Sequence, residues 1–176
     1  MAIVNSHLVL KPQDLVVALK LALNLHRDLV LANLADEMGM ALSSLHGAVK
    51  RAELARLLSR ATGSVRPIRP AILEFALHGA RYAYPGQLGP MTRGIPTAIG
   101  GPVLRPYFED SSESPVWPDP EGTVRGPGLL PLNSCVLKAS KNDAALYEVL
   151  TLIDALRVGA ARERKIASEE LERRLL

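Results

Sequence analysis

Apolar residues in the first third of the chain recur at spacings of three and four, the period of helices with one buried face. Pro12 suits the first turn of a helix, and Leu15, Val16, Leu19, Ala22 and Leu23 form its stripe. A second helix, capped or preceded by Asp28, would turn Leu31, Leu34, Ala35 and Met38 inward. The run "LADEMGMALSSLHGAVKRAE", Leu34 to Glu53, then breaks the pattern at Met38-Gly39-Met40 and restarts it at once. A glycine inside one continuous helix costs about 1 kcal/mol relative to alanine, whereas two short helices meeting at a sharp turn need one. Gly39 is therefore expected as a left-handed C-cap. A third helix is predicted from about Leu42 to Glu53, with Leu45, Ala48, Val49 and Ala52 facing inward.

Two short extended runs follow, Leu54 to Ser59 and Ser64 to Ile68, around a turn containing Thr62-Gly63; they predict a two-stranded hairpin. A short helix, Ala71 to Gly79, comes after Pro70. From Pro85 to Pro131 the pattern changes, because this stretch holds ten of the thirteen prolines and eight of the thirteen glycines. It also carries Tyr107, Phe108, Val116, Trp117 and Leu129, so an irregular but packed segment is expected, without long helices or central strands. A disordered piece is expected near Glu109 to Pro115. Trp117 with Glu121, Gly122 and Arg125 either anchors this segment on the helical core, lines a ligand pocket or docks on a partner; Arg81, Tyr82 and Tyr84 could belong to the same packing surface. After the capping run Ser140 to Asp143, Leu146, Val149, Leu150, Ile153 and Leu156 form a second clear stripe. The charged tail beyond Gly159 has only Ile166, Leu171 and Leu175 as apolar points. The chain thus divides into 1–80, 81–137 and 138–176, mainly α with a small β-hairpin.

Aromatics make up only 4% of the 176 residues against 48% hydrophobic, so the core must be mostly aliphatic, which favours helices. The net charge is only +3, but between Ser43 and Arg69 six cations face one anion, Glu53. Such local density suits a polyanion. Cys135 is the only cysteine, which excludes an intrachain disulfide and fits a cytoplasmic protein. No secretory signal is expected, and the apolar run Leu15 to Leu25 is too short to span a bilayer and carries Lys20. His7, His26, His46 and His78 lack metal-ligand spacing, and "GIPTAIGGP" lacks the lysine of a phosphate loop. No metal, cofactor or catalytic set is expected, so an enzyme is not.

The opening run has the plan of a helix-turn-helix: a small residue at Ala35, the turn glycine at Gly39, and Leu34, Met38, Met40 and Leu45 buried in the angle. Locally it resembles the helix-turn-helix of phage repressors of the lambda type. With the hairpin and following helix, residues from about Leu10 to Gly79 resemble winged-helix regulators of the broad MarR-like kind. That resemblance implies a winged helix-turn-helix that binds double-stranded DNA. It would place Ser43, Ser44, His46, Gly47, Lys50 and Arg51 on the exposed face of the recognition helix. Arg60 and Arg66 would flank the wing's turn, and Arg56 and Arg69 would extend the positive surface. Ala41 stands where a serine or threonine cap is usual, so Ser43 or Ser44 could take over and shift the helix start. The function implied is a bacterial-type, sequence-specific transcriptional regulator acting as a homodimer. The C-terminal stripe would supply the dimer interface, unless it docks on its own winged helix. The alternative is a protein-interaction module, such as an antitoxin or defence-system partner.

Overall fold

The computed structural model describes residues 9–26, 30–61, 63–108 and 114–176. Asp28, Thr62 and residues 109–113, expected as a cap, part of a turn and a disordered piece, lie outside the described residues, as does His7.

Pro12 opens α1 (Pro12–Leu23), and the Asp14 carboxylate accepts the Lys11 amide at 2.7 Å, closing its first turn. Leu15 to Leu19 are wholly buried, so α1 has no solvent face along its middle and lies at the centre of the fold. Then come α2 (Leu31–Met38), α3 (Leu42–Leu54), β1 (Leu58–Ser59), β2 (Arg66–Pro67), α4 (Arg69–His78) and α5 (Ala80–Ala83). The strands β1 and β2 pair antiparallel, Leu58 with Pro67 and Ser59 with Arg66. This hairpin is shorter than the expected runs because helix continues through Leu54 before Arg56 turns the chain.

The Pro-rich segment is more regular than expected. It forms β3 (Leu88–Pro96), β4 (Val116–Pro118) and β5 (Val124–Leu129), and β3 pairs antiparallel with both others, so it is a central strand. The prolines of β3 sit where a strand tolerates them: Pro90 falls where the register shifts between Leu88 and Met91, and Pro96, paired with Val116, is the last residue of the strand. A single parallel bridge, Val116 to Gly128, closes β4 on β5.

Three further helices complete the chain: α6 (Cys135–Asn142), which the apolar pattern did not announce, α7 (Ala144–Val158) and α8 (Ala161–Leu175). Asp143 caps α7 by accepting the Leu146 amide at 3.0 Å. The stripe expected to make a dimer is consumed within one chain. Leu146, Val149, Leu150, Ile153 and Leu156 are all at most 4% exposed, and α7 packs on α1, α5, α6 and α8. A helix with this much apolar surface on several sides is a core helix rather than an interface. One continuous hydrophobic cluster runs from α1 to α8 across all three expected divisions.

The sheet is tied to α7 through a buried carboxylate. Asp154, 1% exposed, accepts the Trp117 indole Nε1 at 2.6 Å and the Thr97 hydroxyl at 2.7 Å, and its other oxygen takes Arg157 at 2.6 Å. The Tyr147 hydroxyl donates to the Pro96 carbonyl at 2.7 Å. Trp117 is therefore an anchor, itself 1% exposed, and not the wall of a pocket. Of the neighbouring tyrosines, Tyr84 packs edge-on against Phe75, while Tyr82 stands 77% exposed under Arg81. Among the described residues no helix is long and apolar enough to cross a membrane. The chain is mainly helical, with a small antiparallel two-stranded sheet and a further three-stranded sheet.

Candidate nucleic-acid interface

The turn between α2 and α3 is set by Gly39, with φ 65° and ψ 34° in the left-handed region. Its amide donates to the Asp36 carbonyl at 3.1 Å, and the Met40 amide reaches back to the Ala35 carbonyl at 2.9 Å. These two bonds satisfy carbonyls that a helix end leaves open, the Schellman arrangement. Leu34, Ala35, Met38 and Leu45 are buried beneath the turn, whereas Met40, expected among them, is only half-buried. At the start of α3, Ala41 is extended and supplies no side-chain cap, and the helix begins at Leu42. Neither Ser43 nor Ser44 shifts it, and both point to solvent.

Along α3, Ser43, His46, Gly47 and Lys50 fall at positions i, i+3, i+4 and i+7 of one face, opposite the buried Leu45, Ala48, Val49 and Ala52. Ser43, Ser44, His46 and Lys50 are exposed, and Gly47 is half-exposed. Leu42 and Leu54, at the two ends of the helix, are 45% and 56% exposed. Sequence reasoning passed over both.

Arg51 does not belong to this surface. It is 9% exposed, and its guanidinium grips the wholly buried Asp14 of α1 with two bonds, Nε to Oδ2 at 2.7 Å and Nη2 to Oδ1 at 2.6 Å. The hydrogen bond and charge of Asp14 hold its pKa above the ordinary arginine value, against the pull of burial. Two of its N–H donors close on the buried carboxylate, and burial keeps the rest of the guanidinium from reaching into a groove. A Cβ at Gly47 would stand 3.1 Å from Arg51 Nη1, a tight contact that the guanidinium would have to yield to. The signal for Asp14 was available: a carboxylate inside the apolar run of α1 needs a partner.

The end of α3 repeats the capping geometry of α2 without a glycine. The Arg56 amide donates to the Glu53 carbonyl at 3.0 Å and the Leu57 amide to that of Ala52 at 2.9 Å, with Arg56 itself at φ 59°. Left-handed backbone costs a residue with a Cβ about 1–2 kcal/mol. Arg56 is exposed, as is Arg66 on β2. Neither they nor Lys50 has an ion partner among the described residues. Arg60 is half exposed and pairs with Glu53 at 2.7 Å, a surface contact that costs little to exchange. Arg69 opens α4, half-buried, with a buried Nε that has no hydrogen-bond partner.

Elsewhere, Cys135 is buried, and burial pushes its thiol up to about 11, far from a reactive thiolate. No protein-family model, curated protein or solved structure matches the chain.

Proposed function

We propose that α1 to α4 with the β1–β2 hairpin act as a winged helix-turn-helix that binds double-stranded DNA, α3 entering the major groove. On this reading the chain is a sequence-specific transcriptional regulator. The observation that carries it is the outward row Ser43, His46, Gly47 and Lys50 on a helix aimed by the Gly39 turn. Hydroxyl, imidazole and ammonium groups on one helical face can reach base edges and phosphates. Arg56, Arg66 and Arg60 lie on the segment that follows α3 and are suited to the flanking backbone. The unusual φ of Arg56 fits this reading: strained non-glycine positions tend to persist where the side chain serves a function.

Reading a two-fold site calls for a homodimer. The α7 stripe is not free to make it, so the second copy would bind elsewhere. A protein partner is the second reading, favoured by one observation: Leu42 and Leu54 expose apolar surface at both ends of the same helix. Selection of bound sequences from random duplex DNA separates the two. Recovery of a motif, palindromic for a dimer, supports DNA reading. Uniform recovery with little salt dependence would favour the protein partner.

A further inference from the structure

Arg93 and Arg125 face each other across the β3–β5 ladder, and both are exposed. Residues opposed in this way have Cβ atoms about 5 Å apart on one face of the sheet, where like charges repel. Neither guanidinium has an ion pair or hydrogen-bond partner among the described residues. Two carboxylates follow β4 close by, and the Asp119 amide even donates to the Arg93 carbonyl at 3.2 Å. Both are turned to another cation: Asp119 and Glu121 bind Lys141 at 3.0 and 3.1 Å. Among the described residues the repulsion therefore stands uncompensated.

The neighbouring row on the same face is apolar. Met91 pairs with Pro127, two residues along each strand from the arginines, and Met91 is 49% exposed. We propose that this face of the ladder binds a small phosphate ester with an apolar or aromatic body. The phosphate bridges Arg93 and Arg125, and the body lies on Met91 and Pro127. A phosphate monoester carries nearly two negative charges at neutral pH and so balances both arginines, which a single carboxylate cannot. Guanidinium forks match phosphate oxygens in geometry, and a thioether suits an aromatic ring. The two arginines lie on β3 and β5, in a sheet bound to α7 through Trp117 and Asp154, whereas α3 packs on α1. It does not depend on the DNA-binding reading.

The test is calorimetric titration of the full chain with phenyl phosphate and with inorganic phosphate, at ionic strength matched by chloride. Phenyl phosphate should saturate one site and bind more tightly than inorganic phosphate. Arg93→Gln and Arg125→Gln should each weaken it roughly tenfold or more, and Arg93→Lys less than Arg93→Gln. Without phosphate, either glutamine variant should raise the thermal midpoint, because the repulsion is gone; that readout also reports that the variants fold. Absence of saturable binding overturns the proposal, as does phenyl phosphate binding that survives the double glutamine variant. Loss of duplex DNA binding in these variants, with no phenyl phosphate binding by the parent chain, would likewise overturn it and assign the arginines to nucleic-acid backbone.

Discussion

Replacing Arg51 by alanine separates a structural role from a DNA-reading one at the residue where they are most easily confused. The substitution leaves the Asp14 carboxylate, which is 0% exposed, with the Lys11 amide as its remaining donor among the described residues. Breaking a buried ion pair from one side costs about 3–5 kcal/mol, because the surviving charge stays buried. Arg51 is 11% exposed along its side chain, which admits some water, and the Lys11 bond survives. The expected loss is therefore about 3 kcal/mol, the low end of that range. That is a large share of the about 5–15 kcal/mol that keeps a typical domain folded. Exchanging both partners for apolar residues, Asp14→Leu with Arg51→Met, should recover most of it, since no charge is then stranded. Urea unfolding followed by circular dichroism compares the parent, Arg51→Ala and the double variant. An Arg51→Ala chain within about 0.5 kcal/mol of the parent would refute the buried-pair reasoning. So would a double variant no more stable than the single one.

Gly39→Val should destabilise by more than about 1 kcal/mol, chiefly through its positive φ, and Gly39→Asn by less; equal urea midpoints would refute the turn. Trp117→Phe removes one of three donors from Asp154 and should cost about 1–3 kcal/mol, read as a lowered midpoint. A chain ending at Leu137 loses α7 and α8 from the core and should give no cooperative unfolding transition, whatever its association state. Asp143 supplies a pH test. Burial pushes its carboxyl up, but hydrogen bonds from Lys20, the Leu146 amide and Asn24, with the charge of Lys20, bring it below its ordinary value. Its stabilisation is thus complete above the ordinary carboxylate range and is lost as pH falls through the depressed folded-state value. Asp143→Asn should be less stable than the parent at neutral pH and lose less on acidification; parallel acid curves would contradict this.

The parts of the fold legible in the sequence were those with local causes. Gly39 announced its turn because few other residues fill a left-handed C-cap, and the α1 and α7 stripes follow from spacing alone. What a stripe touches is not local. The apolar residues of α7 are the same whether they meet a second copy or α1, and in the structure they meet α1. Arg51 misled for a related reason: its partner Asp14 is 37 residues away, and its place on the helix wheel borders both faces. Charged residues within apolar runs, Asp14 and Lys20 in α1 and Asp154 in α7, were the overlooked signal, since each is buried only because an opposite charge meets it. The β3 strand was hidden because its prolines were counted without regard to place. One sits at a bulge and one at the strand end, where a missing donor costs nothing.

The claim that α3 reads DNA is tested most directly by its outward side chains. His46→Ala with Lys50→Ala touches only exposed positions, so folding should be unchanged. Fluorescence anisotropy on a duplex recovered by selection should show specific affinity falling roughly tenfold or more, with nonspecific binding reduced less. Unchanged specific affinity in a folded double variant, or failure of selection to recover any duplex, would contradict the assignment of α3 as a recognition helix.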